Sequence, residues 1–175
     1  TLKYRKDPIF IDPRNDQLGA RFISSLEKLH LSIKDLKLKV INKDYYYDKN
    51  HEIGIPEINL IKLKEKIFGI ENNLEELNAI DFKKGCYVGQ ENTSRIKLRS
   101  KLRRRLLPIK VINGSINVND EINFQHHKVG KILIDKPYPF AIVKLLDPSV
   151  QQFLNENLKC GSGTVKIFVP KWLQL

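Results

Sequence analysis

The sequence predicts an α+β chain, with an α/β part over residues 1–101 followed by a small antiparallel β-barrel over residues 102–175. Three observations carry this. From about residue 102, short β-like runs recur between strong breakers, the pattern of a small barrel or sandwich. Before that point, stretches of helical composition alternate with turns and one extended run. Hydrophobic residues make up 41% of the 175, enough to bury a core and too many for a globally disordered chain.

The elements follow in order. The chain starts extended, and Asp12-Pro13-Arg14-Asn15-Asp16 is turn chemistry: Pro13 fixes φ, while Asn15 and Asp16 tolerate tight bends. Residues 18–24, LGARFIS, read as a strand leaving that turn. Residues 25–31 fit a short helix or a loop. Residues 45–52 read as helix, stopped by Gly54 and Pro56. Residues 71–80, ENNLEELNAI, predict a helical turn or two. From Arg95 basic and apolar residues alternate through Arg103, a period of two that predicts a strand. Further strands are expected at 106–112, 121–124, 128–134, 140–146 and 164–169. Asn113-Gly114, Asn119-Asp120, Pro137, Asp147-Pro148 and Gly161 break the chain between them. One helical turn is expected within 149–155.

The net charge is +11, and it is uneven. RIKLRSKLRRR, residues 95–105, holds seven basic residues and no acid; outside it 24 basic and 20 acidic residues remain. Any anionic partner is therefore a question about one segment. Two cysteines far apart, Cys86 and Cys160, are too few for a disulfide scaffold, and no spacing suggests zinc. No apolar run approaches the length that crosses a bilayer. The absence of methionine, position 1 included, points to a chain that starts inside a longer gene product, or to a processed or cloned fragment. A soluble, cytoplasmic protein is the expectation.

The richest chemistry lies in KGCYVGQE, Lys84 to Glu91. Lysines before Cys86 and a helix beginning after it would both favour a thiolate. Gly85 and Gly89 would let a ligand approach the backbone. Cys86 is then either a reactive thiol lining a pocket or a small buried hydrophobe. Gln90 and Glu91 can meet a donor-rich heterocycle or merely cap a helix, and Tyr87 can stack on a flat ligand or pack in a core. His126 and His127 fall at a turn and, as strand neighbours, would face opposite ways. Trp172 reads as a packing anchor. Cys160, beside Gly161 in a turn, carries no visible chemistry.

KGCYVGQE followed by Arg95 resembles the signature of the YgfZ family, folate-binding proteins of iron–sulfur cluster maintenance. That family is similar in fold to the glycine cleavage T-protein, an aminomethyltransferase. Lys84, Gly85, Cys86, Tyr87, Gly89, Gln90, Glu91 and Arg95 fill the signature. Asp12-Pro13-Arg14 with Leu18, Gly19 and Arg21 resembles the family's DPR turn and the strand after it. Gly54-Ile55-Pro56-Glu57 resembles its GIPE step, and Arg104 to Val111 the entry to its C-terminal barrel. Asn50 stands where the family usually has arginine, and Gly69 where proline is common.

The resemblance implies a ferredoxin-like, T-protein-like α/β part that is incomplete, its N-terminal portion absent. It implies tetrahydrofolate as ligand, with Glu91 facing pterin N–H groups, Arg95 orienting Glu91 or meeting the glutamate tail, and Cys86 at the pocket. No metal is expected to be held permanently, since two cysteines cannot supply four thiolates. The implied role is support of [4Fe–4S] enzymes, tRNA-thiolating ones included, with client enzymes or assembly factors as partners and a separate N-terminal portion as a further one. Covalent catalysis is left open. Two alternatives compete: a nucleic-acid-binding module using residues 95–105, which lacks interleaved aromatics, and a folate-dependent aminomethyltransferase, which needs an aspartate from the absent portion.

Overall fold

The computed structural model describes residues 8–85, 88–98 and 102–175. Strands β1 (Ile9–Ile11) and β2 (Ala20–Phe22) pair antiparallel, Ile9 opposite Phe22 and Ile11 opposite Ala20. Asn15 accepts from the Gln17 N–H and so starts a single 3-10 turn in their connection. Helix α1 (Leu26–Asp35) is capped by Ser25, and α2 (Lys43–Glu52) by Asn42, whose Oδ1 accepts from the Asp44 N–H at 3.1 Å. Beyond α2 the chain turns at Gly54, with φ +76°. A Cβ there would sit 2.2 Å from Pro170 Cγ, so both the backbone angle and the close approach require glycine.

Residues 71–80 are a correction. They form successive turns rather than a helix, because Asn73 and Asn78 both adopt left-handed φ, 59° and 58°. Each asparagine ends one turn: Leu74 N–H reaches back to Gly69 O and Ala79 N–H to Leu74 O. Residues 95–98 are a second correction. They belong to helix α3 (Glu91–Leu98), not to a strand. Four alternating residues cannot separate the two periods, and α3 docks by one face: Lys97 pairs with Glu75 at 2.5 Å and lies over the Phe82 ring.

Six antiparallel strands close a barrel in the order β3-β6-β5-β4-β7-β8. They are β3 (Arg104–Asn113), β4 (Glu121–Phe124), β5 (His127–Ile134), β6 (Phe140–Lys144), β7 (Leu158–Cys160) and β8 (Gly163–Ile167). Five of these match sequence expectations closely, and closure removes the edges that an open sheet would leave. The three-residue β7 was not foreseen, and Cys160 is its last residue, fully buried, rather than part of a turn. The interior is filled by side chains such as Leu107, Ile122, Val129, Ile132 and Phe153. The outer face around Leu106, Phe140 and Ile142 is covered by Leu63.

Several contacts among the described residues hold the preceding residues to the barrel. His51 on α2 donates from Nε2 to Pro139 O at 3.0 Å and meets the Phe140 and Phe168 rings edge-on. Trp172 donates from Nε1 to Ile53 O at 2.6 Å, which confirms its anchoring role. Lys62 pairs with Asp135 at 2.6 Å.

Candidate functional site

Of the signature, Cys86 and Tyr87 lie outside the described residues. The rest surrounds the start of α3. Gly89 has φ +94°, and Ser94 N–H bonds to Gln90 O, so Gln90 begins the helix and Glu91 occupies its first turn. There the carboxylate meets the positive end of the helix dipole. Glu91 and Arg95 stand one turn apart on one face, where side chains are neighbours. Both are exposed, as are Lys84 and Gly85, while Gln90 is half-buried. A Cβ added at Gly85 or Gly89 would meet open space.

The cavity beside α3 lies on its other face. It measures about 400 Å³ and is lined by Ile70, Glu75, Glu76, Ile96, Lys97, Leu102 and Arg105. Its walls are a clamp between the 71–76 turns and the start of β3. Arg104 pairs with Glu71 at 2.9 Å, and Arg105 with Glu76 at 2.5 Å. Asn73 donates to Leu106 O at 2.9 Å and accepts from Arg105 at 2.9 Å. Three cations of the 95–105 segment, Lys97, Arg104 and Arg105, are thus committed to internal acids. The nucleic-acid alternative finds no support in this arrangement.

A second constellation was missed as a site by sequence reasoning. Asp12 is 3% exposed. Its Oδ1 accepts from Arg14 N and Nε at 3.0 and 3.1 Å, and its Oδ2 accepts from Arg14 Nη2 at 3.1 Å and Arg21 Nε at 2.6 Å. Arg14 extends the network to Glu57 at 2.6 Å and Tyr46 at 3.1 Å. Burial alone would push the Asp12 carboxyl up; the hydrogen bonds from Arg14 and Arg21 outweigh it and hold the group well below the usual carboxylate range. A cleft of about 510 Å³ opens here, with Asp12, Arg21, Tyr46 and Glu57 among its lining residues. Part of Glu57 remains accessible, so the cleft offers a carboxylate and a guanidinium side by side. The available signal was the pairing of the DPR turn with the GIPE step, which supply Asp12, Arg14 and Glu57. Nearby, Asn50 is 1% exposed; its Nδ2 donates to Tyr46 O, and its Oδ1 has no partner among the described residues.

The chain thus combines a closed barrel, a cysteine–glycine signature before α3 and a charged cleft at the β1–β2 connection. No family model matches the chain. It is 32% identical over 158 residues to the mitochondrial iron–sulfur cluster assembly factor IBA57 homolog of Neurospora crassa, covering 89% of this chain and 33% of that protein. Against the IBA57 homolog of Pyricularia oryzae it is 32% identical over 118 residues, 67% of this chain and 30% of the relative. Against that of Dictyostelium discoideum it is 34% identical over 107 residues, 58% and 25% respectively. The chain therefore spans about a third or less of the length of these relatives.

The resemblance to proteins of iron–sulfur cluster maintenance holds at that level, and the match does not carry the narrower YgfZ name. The relatives are named mitochondrial, which overturns the expectation of a cytoplasmic protein. That expectation rested on the lack of an apolar run, and mitochondrial targeting uses amphipathic, arginine-rich segments instead.

Proposed function

We propose that this chain is the part of a mitochondrial iron–sulfur cluster assembly factor that carries the KGCYVGQE signature and the adjoining barrel. The observation that supports this best is the similarity to the Neurospora crassa relative, which extends over 89% of the chain. In this reading the partners are [4Fe–4S] client enzymes or other assembly factors, and the cluster is cargo rather than a resident group. Cys86 is the candidate reactive thiol, on the grounds of its flanking lysines and glycines.

Tetrahydrofolate is the proposed ligand, on the resemblance alone. A flat ring of this kind needs a concave site that encloses most of its surface. Among the described residues, Gly85 and Gly89 face open space, and Glu91 and Arg95 are exposed. These described residues form one wall of such a site. No chemical step is assigned through the folate.

The test is expression of the chain, directed to mitochondria, in Neurospora crassa lacking its own IBA57 homolog. Restored activity of [4Fe–4S] enzymes, lost again in Cys86→Ala, is the expected result. Equal activity with and without the chain overturns the proposal. Tetrahydrofolate titration of the purified chain and of Glu91→Ala tests the ligand separately; saturable binding weakened by the substitution supports it, and none in either removes it for this chain.

A further inference from the structure

On one side of the barrel, lysines face each other with no acid between them. β3 and β8 pair antiparallel with Lys110 directly opposite Lys166. Like charges at such positions repel and destabilise a sheet. Lys159 on β7 faces Thr164, two residues from Lys166, and is therefore the diagonal neighbour of Lys166. Leu158 and Cys160 flank Lys159, and Val165 and Ile167 flank Lys166; all four are buried in the barrel interior, so both lysines alternate to the outer face.

A second like-charge pair provides the contrast. At the other end of β3, Arg104 stands opposite Lys144, but there Arg104 is matched by Glu71 at 2.9 Å. No ion pair among the described residues includes Lys110, Lys159 or Lys166. Asp120, close by, lies against the Gly161 turn, where its Oδ2 accepts from the Asn117 N–H at 2.7 Å. Beside the lysines runs a groove of about 720 Å³, with Ile112, Asn113, Asn157, Lys159, Ser162 and Thr164 in its lining. The β3–β8 register shifts between Val111 and Asn113, which leaves Ile112 as the extra residue of a bulge, 43% exposed. Ile112 is the one large apolar side chain in that lining, and no aromatic ring belongs to it.

We infer that this face of the barrel binds an acidic, extended segment of a partner polypeptide, with its carboxylates on Lys110, Lys159 and Lys166 and its backbone in the groove. Asn113, Asn157 and Thr164 carry both donors and acceptors, as a peptide backbone does, whereas phosphodiester oxygens only accept. A single strand of nucleic acid also needs aromatic rings on which to stack its bases, and the lining has none. A membrane surface needs several apolar side chains to insert, and the groove offers Ile112 alone. A second copy of this chain carries the same net charge of +11. Neither the signature at 84–91 nor the cluster role enters here, so the failure of either leaves this face standing.

The test follows the anisotropy of a fluorescent oligoglutamate peptide titrated with the full chain at low salt, where exposed charges are least screened. Saturable binding that weakens as salt rises is expected. Lys110→Glu and Lys159→Glu should each weaken it about fivefold or more. Lys144→Glu changes the net charge by the same amount but lies at the far end of β3, and should bind within about twofold of the parent. Lys110→Glu also turns a like pair into an opposite one, so its urea midpoint should equal or exceed the parent's while its binding falls; a purely structural role would move the two together. No saturable binding by the parent overturns the inference. So does parent-level binding by both Lys110→Glu and Lys159→Glu, an equal loss in Lys144→Glu, or a lowered urea midpoint in Lys110→Glu. Tighter binding of an oligothymidylate of the same charge, or binding only to anionic vesicles, overturns it as well.

Discussion

Replacing Asp12 by alanine removes the acceptor on which two guanidiniums converge. Four donor contacts end on this carboxylate, three from Arg14 and one from Arg21, and its side chain is 2% exposed. Breaking a buried charge pair by removing one partner costs about 3–5 kcal/mol when the other stays buried. Here the remaining partners are less confined. Arg21 is nearly half exposed and can be rehydrated, and Arg14 keeps Glu57. We therefore expect a loss of about 2 kcal/mol, which is roughly a 30-fold rise in the opening equilibrium. Amide exchange at residues 12 and 19, whose N–H groups lie at the turn, reads it locally, and Ile23, bonded to Pro8 at the other end of the sheet, shows how far the opening spreads. The pH dependence has a definite sign. The folded carboxyl lies below its unfolded value, so its contribution is complete above about pH 4 and is lost as pH falls from there toward the depressed folded value. Exchange in Asp12→Ala within threefold of the parent, or a parent whose protection rises on acidification below pH 4, would refute this reasoning.

Other expectations concern the joints and the barrel. Burial lowers the His51 pKa against the raising effect of its bond to Pro139, so the contact between α2 and the barrel should hold above about pH 6.5 and weaken as pH falls through the lowered folded value; exchange along α2 between pH 7.5 and 5 measures this. Trp172→Phe leaves Ile53 O without its donor and should cost about 1–3 kcal/mol in urea unfolding. Gly163→Ala would place a Cβ 2.6 Å from Asn113 O, a backbone atom, and should destabilise the barrel by about 1–3 kcal/mol, seen as a lower urea midpoint. Burial pushes the Cys160 thiol up to about 11, so the Cys86→Ala chain should resist iodoacetamide at pH 8 when folded and react once unfolded.

The barrel was legible because its breakers do local work. Gly114 with φ +70° and the Gly161–Gly163 turn mark strand ends, and runs such as 121–124 have few other ways to bury their apolar residues. Leu158–Cys160 escaped notice since three residues carry no period. ENNLEELNAI looks helical by composition, and the two asparagines that break it could equally sit in a helix until β3 demands Asn73 as a hydrogen-bond partner. The basic run at 95–105 looked like a surface for an anion because its acids, Glu71, Glu75 and Glu76, lie more than 20 residues earlier. The Asp12 network was hidden for the same reason: Arg14 reaches Glu57 across 43 positions. The signature at 84–91 could be read for chemistry but not for enclosure, which depends on surfaces that no local spacing encodes.

The most direct measurement is radiolabelled iron incorporation into a mitochondrial [4Fe–4S] enzyme, compared with a [2Fe–2S] protein, in cells that lack their own IBA57 homolog and express this chain directed to mitochondria. The account predicts that iron returns to the [4Fe–4S] enzyme with the parent chain and not with Cys86→Ala, while the [2Fe–2S] protein is loaded in every case. Iron loading of the [4Fe–4S] enzyme that is the same with the parent chain, with Cys86→Ala and with neither would contradict it.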